Sequence, residues 1–107
     1  MHDLTNGFGH WAVWTLSAET RSLPAALPSG TLTTPVEAEQ KSLQGAGYFG
    51  PRSCMNVYEF KVYALNVETF TPASTTSVDT IQDELEASDI VLDTATLRVR
   101  ANPEDCT

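Results

Sequence analysis

The clearest alternation of apolar and polar positions runs from Val57 to Leu65. Tyr58, Phe60, Val62 and Ala64 point one way; Val57, Glu59, Lys61, Tyr63 and Leu65 point the other. A period of two, carried by aromatic and β-branched residues, predicts a half-buried β-strand. The stretch before it, from Gly47 through Gly50-Pro51, is a loop punctuated by Gly and Pro. A rigid strand behind such a loop places backbone groups and polar tips at the mouth of a sheet, where small-molecule sites often sit. Phe8–Leu16 predicts a second strand, with Phe8, His10, Ala12 and Trp14 on one face and Trp11, Val13 and Thr15 on the other. Large apolar groups on both faces predict a central strand, covered on both sides. Asp3-Leu4-Thr5-Asn6-Gly7 before it predicts a turn, because Asn-Gly tolerates positive φ. Thr94–Arg100 alternates again, with Ala95, Leu97 and Val99 opposite Thr94, Thr96, Arg98 and Arg100, which predicts a final strand with one wet face.

Only one stretch follows a helical period. Val78, Ile81 and Leu85 form an apolar stripe that predicts a helix over Val78–Ser88 facing a sheet. Thr76 with Asp79 suits a capping box, and Asp79 and Asp83 suit the positive end of the helix dipole. Asp83, Glu84 and Glu86 fall on the outer surface, and Ile90-Val91-Leu92 fits either a second helical turn or a bend. Ser17 to Gly47 has no strong period and reads as a long surface loop, with Leu23, Leu27, Val36 and Leu43 as candidate apolar anchors. The Thr/Ser/Pro stretch at 69–77 is a linker, and residues 101–107 read as a loose C-terminal tail.

Composition narrows the function classes. The chain has 107 residues, which bounds it to one domain, 1–107, with a modest core. A net charge of −8 with only 6 Lys and Arg argues against nucleic acid as a partner. No apolar run is long enough for a transmembrane segment. The two cysteines, Cys54 and Cys106, permit one bridge within the chain, and two free thiols are the other reading. A bridge would point to the periplasm or exterior; otherwise the cytoplasm is the expectation. No metal is expected, because no Cys-x-x-Cys or paired-His spacing accompanies the thiols. No cofactor motif, phosphate loop or nucleophile with an attendant base is present, so no catalytic residue is assigned and the chain is not expected to be an enzyme.

The candidate chemistry gathers around Asp3 and His10, which flank the Asn-Gly turn. A partly buried histidine satisfied by one hydrogen bond is the simple reading. The functional reading is an anion pocket: a histidine near an aspartate donates to phosphate or carboxylate oxygens. Gly50-Pro51 permits close backbone approach to the same anion, and Tyr58 adds a phenolic donor. His2, near the chain start, is taken as incidental.

Four motifs in register extend this reading. Gly9-His10-Trp11-Ala12-Val13-Trp14, Ser22-Leu23-Pro24, Gly47-Tyr48-Phe49-Gly50-Pro51 and Tyr58-Glu59-Phe60-Lys61-Val62-Tyr63-Ala64-Leu65 resemble the phosphatidylethanolamine-binding protein family. The similarity is greater to its bacterial, Raf-kinase-inhibitor-like branch. It runs from about Asp3 to Leu65 and continues weakly through the helix and final strand. The resemblance implies a mainly β (α+β) fold: an antiparallel β-sandwich or sheet core with a C-terminal helix. It also implies non-catalytic binding of a small anionic or phosphate-bearing ligand, such as a phospholipid head group. His10 falls on the pocket histidine of the family's His-aromatic motif. Asp3 falls on the first acidic residue of an Asp-Pro-Asp-Ala-Pro stretch, here His2-Asp3-Leu4-Thr5-Asn6. Gly50 and Pro51 fall on the pocket wall, and Tyr58 on the tyrosine of a His-x-Tyr motif. The second pocket histidine is replaced by Asn56, and the loop between Pro51 and Asn56 is shorter than usual. Members carry more chain before the Asp motif, including strands of the main sheet, so the resemblance implies a domain lacking its N-terminal strands, either as a truncated product or fragment or because Met1 is an internal methionine taken as the start. A sheet without them would expose apolar edges through which copies could oligomerise. The rival expectation is a protein-interaction module that inhibits a kinase or protease, docking through the Ser17–Gly47 loop.

Overall fold

The structure is a computed structural model, which describes residues 1–23, 27–32, 37–43, 45, 47 and 55–100. Gly50, Pro51, Cys54, Cys106 and the tail 101–107 lie outside the described residues, so the pocket wall, the bridge and the loose tail lie there too.

The chain order is β1 (His2–Asp3), β2 (Trp11–Trp14), β3 (Glu39–Ser42), β4 (Val57–Leu65), α1 (Val78–Ala87) and β5 (Val91–Arg100). The fold is mainly β, with antiparallel sheets and, among the described residues, one helix. One sheet has the order β1-β4-β5; the other pairs β2 with β3. Strand β4 has the expected bounds, and its neighbours fix which side chains share a face. Opposed residues in an antiparallel pair point to the same side. Tyr58 opposes Asp3 on one flank and Val99 on the other; Phe60 opposes Leu97, and Val62 opposes Ala95. These side chains form one face of the sheet. Glu59, Lys61 and Tyr63, with Arg98, Thr96 and Thr94 opposite them, form the other.

Among the described residues, Trp11, Leu32, Ala38, Tyr58, Phe70, Val78 and Ile81 are the buried apolar side chains. Helix α1 closes this core with Val78 and Ile81, three residues apart on one helical face. Ser77 is the N-cap: its side chain accepts from the Thr80 amide at 3.0 Å. The cap is therefore Ser77, not Thr76, because Ser77 is the residue with extended φ and ψ at the helix start.

Several expectations are corrected. The second strand is Trp11–Trp14, and among the described residues it lies in a two-stranded sheet and not at the centre of one. Thr15 has φ +64, and the extended conformation stops before it. The long loop contains β3, whose inward side chains are the polar Gln40 and Ser42, 5 % and 2 % exposed. Trp11 Nε1 donates to Gln40 Oε1 at 2.9 Å, and Gln40 Nε2 donates to the carbonyls of Pro28 and Gly30. Polar burial, satisfied in this way, hides a strand from a search for apolar alternation. The anchors are Leu32 and Ala38, which form a bridge; Leu23 and Leu43 are exposed, and Val36 lies outside the described residues. The final strand begins earlier, at Val91, so Val91 and Leu92 are neither helix nor bend. It is exposed on both faces beyond Val91, rather than having one dry face. Glu84 and Glu86 do more than meet solvent. Glu84 accepts from the Ala73 amide, and Glu86 accepts from the Tyr63 hydroxyl.

Candidate functional site

Asp3 ends β1 and is fully buried. Its Oδ1 accepts the amides of Thr5 at 2.9 Å and Asn6 at 3.3 Å, an Asx turn that starts the reversal toward Gly7. The Gly7 amide then donates to the Asp3 carbonyl, and Gly7 has φ +85, the left-handed conformation a glycine adopts freely. Its Oδ2 accepts from Asn56 Nδ2 at 3.0 Å, the side chain just before β4. The turn is tied to β4 a second time, because the Thr5 hydroxyl accepts the Val57 amide and the Leu4 amide donates to the Val57 carbonyl.

His10 reaches the same place by another route. Its amide donates to the Met1 carbonyl at 2.9 Å, which lays the chain beside β1. The ring is 4 % exposed, with Nε2 4.0 Å from Asp3 Oδ2. That separation exceeds a hydrogen bond, so the two groups interact through charge. Tyr58, fully buried, presents its ring edge-on to His10 with centroids 5.2 Å apart and planes at 80°. Burial by itself raises the Asp3 carboxyl. The hydrogen bonds from Asn56, Thr5 and Asn6, and the neighbouring His10, outweigh it and hold the carboxyl below its ordinary 3.8. The site therefore keeps a fixed negative charge beside an imidazole, walled by an aromatic ring.

Four of the six site residues read from the sequence are thus brought together: Asp3, His10, Asn56 and Tyr58. They come from β1, the approach to β2, and the start of β4. Gly50 and Pro51 lie outside the described residues. Thr5 and Asn6 were not expected; the Asp-x-Thr-Asn-Gly spacing of an Asx turn was the available signal. His2 is not incidental either. Its Nε2 lies 3.1 Å from the Gly7 carbonyl and its Nδ1 3.6 Å from Asp79, linking the turn to the first turn of α1. Gly9, next to His10, is tight against the same helix: a Cβ there would stand 2.7 Å from Asp79 Oδ1 and 2.8 Å from Val78 Cγ1.

A family model described as phosphatidylethanolamine-binding protein matches residues 2–101. The chain belongs to the phosphatidylethanolamine-binding protein family. No curated protein and no solved structure gives a match alongside it. Family membership supports a role in ligand or protein binding in general. The matched range takes in the Asp3–Tyr58 cluster and also β5.

Chemically, the cluster holds charge and hydrogen bonds in fixed places. Among the described residues, no group of three or more His, Cys, Asp or Glu side chains could hold a metal ion. No helix among them is long and apolar enough to cross a membrane. An open groove of about 440 Å³ lies elsewhere, lined by Lys61, Tyr63, Glu86, Val91, Thr94 and Thr96. The register puts it on the opposite face of the sheet from Tyr58 and Asp3.

Proposed function

We propose that the chain binds a small anionic or phosphate-bearing ligand, without catalysis, at the cluster of Asp3, His10, Asn56 and Tyr58; the family resemblance adds Gly50 and Pro51 to this site. The observation that carries this reading is the convergence of four polar or aromatic side chains from separate segments on one buried point. His10 supplies the positive charge when protonated, and Asp3 and Tyr58 hold its ring in place. Asn56 is the cluster's amide donor where the family resemblance implies a second histidine. One of its two N–H groups donates to Asp3, and the amide carries no charge, so the ligand's charge is met by His10.

The test is a titration of the folded chain with inorganic phosphate and with phosphoethanolamine, followed through the His10 ring resonances. Binding moves those resonances saturably and raises the thermal midpoint, because a ligand selective for the native state stabilises it. His10→Ala abolishes both effects while the chain stays folded. Unmoved His10 signals at millimolar ligand would sink the reading. The rival, an interaction module that inhibits a kinase or protease, is favoured by the exposed Leu4 and Phe8 on the turn beside the cluster, 41 % and 56 % exposed. Capture of such an enzyme that survives His10→Ala would select it.

A further inference from the structure

Asn6 and Gly7 lie on the exposed turn between β1 and β2. Of the 4 asparagines in the chain, Asn6 alone precedes a glycine; Asn56 and Asn66 precede valine, and Asn102 precedes proline. The difference is chemical. The backbone nitrogen after an asparagine can attack the side-chain carbonyl carbon and close a five-membered cyclic imide. A following glycine has no Cβ to obstruct that attack and moves freely in φ and ψ. The branched side chains of Val57 and Val67 hinder it, and the nitrogen of Pro103 has no proton to give up.

The fold sets this reactive pair inside a hydrogen-bonded turn. The nucleophile is the Gly7 nitrogen, whose N–H donates to the Asp3 carbonyl at 2.8 Å. The electrophile is Asn6 Cγ, whose Oδ1 accepts the Phe8 amide at 3.1 Å. The Asn6 amide donates to Asp3 Oδ1 at 3.3 Å, and the Thr5 hydroxyl accepts the Val57 amide, which ties the turn to β4. Gly7 must lose its amide proton to solvent base before its nitrogen can attack. That is the same access amide hydrogen exchange requires, and the bond to Asp3 denies it until the turn opens.

We propose that Asn6 is a modification site, deamidated through attack by the Gly7 nitrogen, and that the Asp3 turn gates the reaction, which proceeds from the open turn and is suppressed in the closed one. In the first step the bond from Gly7 N to Asn6 Cγ forms and the Cγ–Nδ2 bond breaks. Nδ2 leaves as ammonia, with the proton from Gly7 making up its third hydrogen. Water then opens the imide at either carbonyl. One opening gives aspartate; the other reroutes the main chain through Cβ and Cγ and gives isoaspartate. Both products add a carboxylate to the turn that already carries the ionised Asp3. Isoaspartate also lengthens the backbone by one carbon between Asn6 and Gly7, which displaces the Gly7 amide from Asp3. Neither step involves a bound ligand, so the outcome is independent of anion binding at His10.

The test incubates the full chain at neutral pH, folded and, in parallel, unfolded in guanidinium chloride, followed by a brief tryptic digest. The peptide Met1–Arg21 contains Asn6 as its only side-chain amide, so the mass increase of amide-to-acid conversion on it reports Asn6 alone. The unfolded chain reacts at least about tenfold faster than the folded one, and the suppression matches the exchange protection of the Gly7 amide within about threefold, since both need the same opening. Thr5→Val removes the acceptor for Val57 at an exposed position, so it raises the folded rate and lowers Gly7 protection together; Thr5→Ser stays near wild type. Near-wild-type circular dichroism shows that Thr5→Val is folded, and if it is not, the wild-type comparison of rates with exchange still decides. Asn6→Gln, which needs a six-membered ring, stays unmodified over the same period. An unmodified peptide from the unfolded chain overturns the site. A folded rate equal to or above the unfolded one overturns the gating, and so does a suppression unrelated to Gly7 protection.

Discussion

Asp3→Asn tests whether charge, rather than shape, holds the turn to β4. The substitution is nearly isosteric. The new amide oxygen still accepts from Thr5 and Asn6, and a flipped Asn56 amide can accept from the new NH2 group. What is lost is the ionised acceptor. Three bonds of 2.9, 3.3 and 3.0 Å change from charge-assisted to neutral. Bonds to charged groups are worth about 1.5–3 kcal/mol and neutral ones about 0.5–1.5 kcal/mol, while Thr5 and Asn6 have solvent nearby to replace part of their loss. A net cost of about 2 kcal/mol follows, which lowers the thermal midpoint of a chain this size by roughly 8–16 °C. Urea unfolding followed by tryptophan fluorescence reads it, with buried Trp11 as a reporter. The pH dependence gives a second check. A carboxyl held below its unfolded value adds stability above about pH 3.8, and that stability is lost as pH falls through the folded-state value. The gap between wild type and variant must therefore narrow below pH 3.8. A cost under about 0.5 kcal/mol at pH 7, the size of an ordinary surface substitution, or a gap that does not narrow in acid, would refute the argument.

Three further outcomes follow from other contacts. Gly9→Ala forces a methyl group against Asp79 and Val78 and costs about 1–3 kcal/mol in chemical denaturation; an unchanged midpoint would mean α1 is not seated as described. Ser77→Ala removes the cap on the Thr80 amide and costs about 1 kcal/mol, with Ser77→Asp retaining most of it. Burial and the Glu86 carboxylate push the Tyr63 hydroxyl up to about 12, so one of the 3 tyrosines ionises near pH 12 by ultraviolet titration. The native state holds that proton more tightly than the unfolded chain, so this stability is complete below pH 10 and lost as pH rises toward 12; Tyr63→Phe removes that loss.

The parts legible in the sequence are those where one local rule dominates. β4 alternates over its whole length, and its bounds were read correctly. The helix announces itself through Val78, Ile81 and Leu85, and differs from the expectation at its caps. The missed strand, β3, shows why the rest was hidden. Its buried face is Gln40 and Ser42, and the burial of Gln40 depends on partners elsewhere in the chain: Trp11 for its amide oxygen, and the carbonyls of Pro28 and Gly30 for its amide nitrogen. No local period encodes such a contact. Trp11–Trp14 erred in the opposite sense. Its two-sided apolar pattern suggested a covered central strand, but only Trp11 is buried and the other three residues are half-buried, in a strand that pairs with β3 and touches α1. The site was legible in part because Asp3, His10 and Tyr58 sit at recognisable motif positions. That Asn56 bonds Asp3, and that Thr5 joins the turn to β4, required the register of β1 on β4.

Strand β4 shows how one alternating segment serves two ends of the molecule. At Tyr58 its inward face meets Asp3 and His10, and the packing is closed. Four residues on, at Val62, the same face is two-thirds exposed. Nothing in the strand's own pattern marks the change, since Tyr58, Phe60, Val62 and Ala64 are all apolar or aromatic. The difference is what covers it: β1 and the His10 segment reach Tyr58 but stop short of Val62. Every strong charge of β4 stays on the opposite face along the whole strand, as it would if the apolar face were buried throughout. Burial along β4 is therefore set, position by position, by the neighbours that reach it, while its own alternation fixes only which face they can cover.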